Sequence, residues 1–236
     1  MIGRRPAITP FAGAPIMRRV VREVVAFDVE GTLSTGAQWR GVGRYLGGHG
    51  RALSYRVFLL ARLPSAFLAR FGVVAEQPFR DRWIVDLARF LRGLTDAELA
   101  RLGEWVVEHE LWSARRTSVL AELAGHVAAG RRVALLSAMY QPVIDALARI
   151  LGAEAHGTSL EMRDGSATGA VGTVNSGAEK SRRLRDVIAG DRLVAAYGDT
   201  YADLAMLEAS VSPVVVAPDR ALRRVALARG WRIIPS

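Results

Sequence analysis

Val24-Val25-Ala26-Phe27-Asp28-Val29-Glu30-Gly31-Thr32-Leu33 begins with four apolar residues, and its first acid arrives where that run stops. A short, partly β-branched run closed by an acid and then Gly-Thr predicts a buried strand with a loop at its carboxyl end. Beyond about residue 116 the same kind of run returns between helical stretches. Helices are expected at 118–129 (stopped by Gly130), 142–151 (stopped by Gly152), 178–189, 202–209 and 220–229. Strands are expected at 132–137, 193–197 and 213–217, and residues 156–171 carry a Gly-punctuated hairpin pattern around Arg163-Asp164-Gly165. Strands alternating with helices predict an α/β fold, a doubly wound and mostly parallel sheet covered on both faces. Ligands of such sheets bind beyond the carboxyl ends of the strands, where Asp28 falls.

Between 34 and 115 no strong strand pattern is present. Residues 55–71, 81–91 and 96–107 read as helices, and Thr95-Asp96-Ala97-Glu98 has the form of a capping box with Thr95 as N-cap and Glu98 as its partner. The organisation expected is a basic tail at 1–22, an α/β core from 23–33 and 116–236, and an inserted helical unit at 34–115.

Bulk composition narrows the chemistry. The 236 residues contain no cysteine, which excludes disulfides, Cys-ligated zinc and thiol catalysis. The histidines, His49, His109, His126 and His156, lack the close spacing of a zinc-binding helix. The net charge is +9, and Arg4, Arg5, Arg18, Arg19 and Arg22 concentrate much of it in the acid-free start. No basic run is interleaved with aromatics, so a nucleic-acid partner is not expected, while the charge is compatible with attraction to anionic substrates or lipid headgroups. The start lacks the apolar core of a signal peptide, and Met17 is an alternative initiation point. The apolar stretch 57–75 is broken by Arg62, Pro64 and Arg70, too interrupted to span a bilayer, so a cytoplasmic protein is expected.

Four pieces carry chemistry. In the first, Asp28 at a strand tip can attack phosphorus, and Glu30 two residues on can protonate a leaving oxygen and then activate water. Gly31 lets the backbone approach phosphoryl oxygens. In the second, Ser137 closes the run Val133-Ala134-Leu135-Leu136 and can donate to a phosphate oxygen. The third is Lys180, the only lysine in a chain with 32 basic side chains of Lys or Arg type. A compact ammonium fits between phosphate and crowded carboxylates where a planar guanidinium does not. The fourth is Gly198-Asp199-Thr200-Tyr201-Ala202-Asp203, whose two carboxylates straddle a strand-to-helix turn and can supply oxygen ligands to magnesium.

The order of these pieces resembles that of the haloacid dehalogenase-like superfamily, from about Val24 to Pro218. Within it the chain is most similar to the phosphoserine-phosphatase-like branch. Leu136-Ser137-Ala138 leading into Pro142-Val143-Ile144, the Gly157-Thr158 hairpin region and Gly198-Asp199-Thr200 running into Asp203-Leu204 carry that likeness. The resemblance implies a Rossmann-like core with an inserted helical cap and a magnesium-dependent phosphatase. Asp28 would be nucleophile and metal ligand, and Glu30 acid/base with its backbone carbonyl on the metal. Ser137, Lys180 and Gly31 would hold the phosphoryl group. Asp199 would bind magnesium, with Asp203 as ligand or as support behind it. One departure is Glu30, where the family's usual acid/base is Asp; the enolase-phosphatase branch carries Glu there. Dehalogenases and phosphonatases lack an acid at this position, and the pump ATPases have Thr.

The partner expected is a small-molecule phosphate ester. Arg80 and Trp39 are candidates for selecting it, a solvated Arg and a core Trp being the plainer alternative. The Arg-punctuated apolar stretch 53–74 also allows a lipid-like ester or peripheral contact with a membrane surface, with an inward-packed helix as the plainer reading. Phosphotransfer to an alcohol, as in a mutase, and a catalytically silent phosphate-binding protein are the rival functions.

Overall fold

The computed structural model describes residues 21–48, 55, 60 and 76–235. Most of the expected basic tail and of the apolar stretches 53–74 and 57–75, including the helix expected at 55–71, lies outside the described residues. Six parallel strands form one sheet in the order β3-β2-β1-β6-β7-β8. They are β1 (Glu23–Phe27), β2 (Arg132–Tyr140), β3 (Glu154–Thr158), β6 (Arg192–Gly198), β7 (Ser212–Val216) and β8 (Arg232–Ile234). β4 (Leu160–Arg163) and β5 (Ser166–Val171) form a separate antiparallel hairpin. The expected hairpin over 156–171 is thus shorter than predicted: its first residues belong to β3, which pairs in parallel with β2.

Period-two alternation sorts the buried side chains onto two faces. Val25 and Phe27 of β1 and Val133 and Leu135 of β2 enter one apolar cluster, while Val24, Ala26, Ala134 and Leu136 enter the other. The second face is covered by α6 (Gly177–Ile188), the short α7 (Leu204–Glu208) and α8 (Arg220–Arg229), which bury Leu184, Met206 and Leu222 among others. The first is covered by α4 (Thr117–Ala128) and α5 (Gln141–Leu151), together with the helices of the insertion. Those are α1 (Gln38–Gly48), α2 (Glu76–Ala88) and α3 (Asp96–Val106), the last running on into a π-helical turn over Val107–Leu111. Among the described residues of the insertion there is no strand, as expected.

α3 begins as predicted: Glu98 N–H donates to the Thr95 hydroxyl, and the Glu98 carboxylate accepts from Thr95 N–H at 2.8 Å. α5 and α8 end on Gly152 and Gly230, both in the left-handed region that L side chains avoid. α1 was not expected, because a glycine-rich segment has poor intrinsic helicity. Packing explains it: a Cβ on Gly43 would lie 2.0 Å from the Tyr55 ring, so the missing side chain lets the helix close onto that residue.

The chain leaves β1 for β2 and β3 on one side, then crosses back to β6 on the other. The order therefore reverses between β1 and β6, and a crevice opens at their carboxyl ends. No helix among the described residues is long and apolar enough to cross a membrane.

Candidate active site

Asp28 sits at the tip of β1, its position fixed because its N–H donates to the Tyr197 carbonyl at 2.9 Å and so continues the β1–β6 ladder. The loop after it turns back at once, with Leu33 N–H donating to Val29 O at 2.9 Å. Gly31 has φ +91°, and a Cβ there would stand 1.9 Å from Asp199 Oδ2. Only glycine lets the loop lie against Asp199, which directly follows β6 across the crevice. Thr32 Oγ1 donates to Asp199 Oδ1 at 3.3 Å, a second tie between the two strand tips. Ser137 lies one strand over on β2, buried, where the register pairs Phe27 with Leu135. Its Oγ accepts a long bond from Met139 N–H at 3.4 Å.

Lys180 stands one turn into α6, with its own N–H donating to Ser176 O at 3.1 Å. Its ammonium is buried and donates to Asp28 Oδ1 and to Asp203 Oδ1, each at 2.6 Å. The other Asp203 oxygen accepts from Asp199 N–H at 3.3 Å, Thr200 N–H at 3.2 Å and Thr200 Oγ1 at 3.1 Å. Both Asp203 oxygens are thereby committed, and Asp203 shapes the turn that presents Asp199.

Carboxylate oxygens of Asp28, Asp199 and Asp203 lie within 4.8 Å of one another. Burial raises the Asp28 pKa from its ordinary value and Asp203 adds to this, with Lys180 pulling the other way. Asp199 is pushed up to about 8, by burial first and then by the neighbouring charges of Asp28 and Asp203. Burial also works against the Lys180 ammonium, but Asp203 and Asp28 outweigh it and hold its pKa above that of an ordinary lysine. One lysine thus faces three crowded acids. Crowded carboxylate oxygens are what a hard divalent cation takes as ligands, and such a cation would relieve the repulsion that raises Asp199. The donor set fits magnesium.

The Glu30 carboxylate is held from the α1 side of the same cavity: its Oε1 accepts from Gln38 N–H at 2.6 Å, at the start of α1. Burial raises its pKa, opposed by that N–H and by the charge of Arg80. Asp28, Glu30, Gly31, Ser137, Lys180, Asp199 and Asp203 line one cavity of about 560 Å³. Its opposite wall comes from the helical insertion and contains Arg80 and Trp39, so the structure brings both selection candidates to the cavity.

Sequence reasoning missed the residues that set this geometry from a distance. Gln38 holds Glu30 through its backbone, and its side-chain Oε1 accepts from Tyr140 N–H at 2.8 Å, which joins the Glu30 clamp to the end of β2. Asn175 ties the loop before α6 to β3, donating from Nδ2 to His156 O at 2.6 Å and from its N–H to Thr158 Oγ1 at 3.0 Å. A single buried amide has no local sequence signal that sets it apart from other polar residues.

A family model described as haloacid dehalogenase-like hydrolase matches residues 25–208. The chain is 37% identical over 117 residues to a probable phosphatase of Mycobacterium tuberculosis, a match covering 48% of this chain and 41% of that protein. It is 31% identical over 225 residues to the phosphoserine phosphatase SerB1 of the same organism, covering 88% of this chain and 68% of that protein. The matches thus span less than half of the first relative and about two thirds of the second. Among solved structures, a Bordetella pertussis protein of unknown function is 27% identical with a TM-score of 0.72, over 91% of this chain and 98% of that one.

Proposed function

This chain belongs to the haloacid dehalogenase-like hydrolases, and we propose that it is a magnesium-dependent phosphatase acting on a small phosphomonoester through an aspartyl-phosphate on Asp28. The observation that carries this reading is the Lys180 ammonium, buried and 2.6 Å from both Asp28 and Asp203. It opposes the burial and the Asp203 charge that raise the Asp28 pKa, and so favours the anionic carboxylate that nucleophilic attack requires. We take residues 34–115 as the cap over a core of 23–33 and 116–236.

With Lys180 on Oδ1, the other Asp28 oxygen is left to attack phosphorus. The P–O bond to the alcohol breaks, and the departing oxygen takes the proton of the Glu30 carboxyl. Glu30, now ionised, then removes a proton from water as that water attacks phosphorus. The P–O bond to Asp28 breaks, phosphate leaves, and Asp28 and the protonated Glu30 are restored. The raised Glu30 pKa suits the first role, and the Gln38 N–H steadies the anion formed in the second. Ser137, Lys180 and the Gly31 backbone hold the phosphoryl oxygens. Asp28 and Asp199, with the Glu30 backbone carbonyl, would hold magnesium, while Asp203 supports Lys180 and the Asp199 turn. When bound, the ion neutralises carboxylates and phosphate together, so that an anionic nucleophile can meet an anionic ester.

The test is hydrolysis of a panel of phosphate esters with and without magnesium, comparing the wild type with Asp28→Asn. Magnesium-dependent phosphate release should fall by about 10⁴-fold or more in the variant. Release that persists in Asp28→Asn, or none from any ester by folded wild-type protein, would overturn the reading.

A further inference from the structure

The wall of the cavity facing the carboxylates differs in kind from the wall that holds them. It is formed by Trp39 of α1 and by Phe79, Trp83, Ile84 and Leu87 of α2. Trp83 is the centre of a chain of rings: its centroid lies 5.7 Å from Trp39 at 69° and 5.8 Å from Phe79 at 58°. Trp39 lines the cavity and is 37% exposed, with the Arg40 guanidinium 5.7 Å from its ring centroid. The charged residues among the described members of this wall are Arg80 and Asp81. Asp81 Oδ1 accepts from Ser176 Oγ at 2.7 Å, a bond that ties α2 to the loop before α6. Arg80 bears electrostatically on Asp28, Glu30 and Asp199, which places its charge near the phosphoryl end.

Resting on the phosphatase reading above, we propose that the alcohol part of the ester is apolar and ring-sized, seated against Trp39, Phe79 and Trp83. An amino-acid headgroup brings an ammonium and a carboxylate, and each must find a partner when it leaves water. The acid of this wall is engaged in the Ser176 bond, and its cation bears electrostatically on the acids of the site. An aromatic body needs no such partners, and it gains by edge and face contacts with rings at these angles. A cavity of about 560 Å³ has room for a phosphoryl group and a fused ring system.

The experiment uses the Asp28→Asn protein with magnesium and measures calorimetric affinity for 1-naphthyl phosphate and for O-phospho-L-serine, alongside wild-type kcat/KM for both esters. The naphthyl ester should bind at least about tenfold tighter and be turned over with about 100-fold higher kcat/KM. Adding Trp39→Ala, or separately Phe79→Ala, should cost the naphthyl ester about tenfold more affinity than phosphoserine. Phosphoserine binding as tightly or better, an equal loss of both esters in the two variants, or binding of neither would overturn the inference. Hydrolysis with a phosphoserine preference would leave the phosphatase reading standing without this inference. A naphthyl binding preference without hydrolysis of either ester would support the inference and remove the phosphatase reading.

Discussion

The two walls of the cavity are built by different means. On the sheet side, Asp28 and Asp199 directly follow adjacent parallel strands, and their spacing follows from the β1–β6 register and the absent Gly31 side chain. Lys180 enters from a helix and is held by two bonds of 2.6 Å. On the helical side, Trp39, Phe79 and Trp83 meet through ring contacts at 5.7 and 5.8 Å, which tolerate sliding and substitution far better. The difference separates two tasks. Reacting groups must be fixed in position and charge, whereas a surface that sorts leaving groups needs shape and polarity. Changes on the sheet side should therefore abolish turnover without altering preference, and changes on the helical side should do the reverse.

Lys180 gives the sharpest form of this contrast. Both Lys180→Met and Lys180→Arg should lower kcat about 10³-fold, the loss expected when a donor aimed at developing charge is removed. Arginine should fail as a rescue because its planar fork does not fit where one nitrogen sits 2.6 Å from two buried carboxylates. In both variants the ratio of kcat/KM for naphthyl phosphate to that for phosphoserine should stay within about twofold. Steady-state kinetics on the two esters measures this. An Arg variant within tenfold of wild type would refute the view of Lys180 as a fitted point charge.

Glu30 stands between the walls, on the strand-end loop but held by the first amide of α1. Glu30→Gln should lower kcat/KM for an alkyl phosphate about 10³-fold, and less for an aryl phosphate whose alcohol departs without a proton. Because burial raises its pKa, the protonated acid persists to higher pH than for an exposed glutamate. Wild-type kcat/KM for the alkyl ester should fall as pH rises through that raised value, and the aryl ester should show a shallower fall. Equal losses for the two esters would contradict the proton-donor role.

The same division explains what could be read from the chain alone. Asp28, Ser137 and Asp199 lie in or just beyond apolar runs, a local signal, and Lys180 is marked by the absence of other lysines. The bounds of α8 and the left-handed stop at Gly152 follow from capping and periodicity, which are also local. α1 was illegible because its glycines argue against a helix, and the contact that favours it involves Tyr55. β8 is three residues long, too short for alternation to register, and β3 resembles one arm of a hairpin until β2 claims it. The helical wall was only partly legible: Trp39 and Arg80 were selection candidates with a core Trp and a solvated Arg as the plainer reading, but Phe79 and Trp83 have the spacing of any buried helix face. Gln38 was missed because its meaning depends on Tyr140, 102 residues away.

Glu110 is the residue through which the two walls share one support, and its effect should be the smallest. It is buried on the π-helical turn, where Oε1 accepts from Arg40 Nε at 2.7 Å and Ala37 N–H at 3.3 Å, and Oε2 pairs with Arg44. Ser34 Oγ donates to the adjoining Leu111 carbonyl at 2.7 Å. Together these bonds pin the segment that carries Gln38 N–H to Glu30 and Trp39 to the apolar wall. Burial favours the neutral Glu110, but the Arg40 and Ala37 bonds and the charges of Arg40 and Arg44 outweigh it, leaving the pKa below 4.5. A carboxyl depressed in the folded state stabilises the fold above its unfolded value and loses that contribution as pH falls through the lowered one. Wild-type Tm should therefore drop as pH falls below about 4.5, and Glu110→Gln should flatten that part of the curve. At neutral pH the variant should lose about 1–2 kcal/mol, since its partners are half exposed and screened, which is about 3–6 °C in Tm for a chain of this size. Because Glu110 touches neither reacting atoms nor the ring wall, kcat on an alkyl ester and preference for the naphthyl ester should both fall only about two- to fivefold, and together. A loss confined to one of the two would mean that the walls are positioned independently, and that the segment from Ser34 to Arg40 does not couple them.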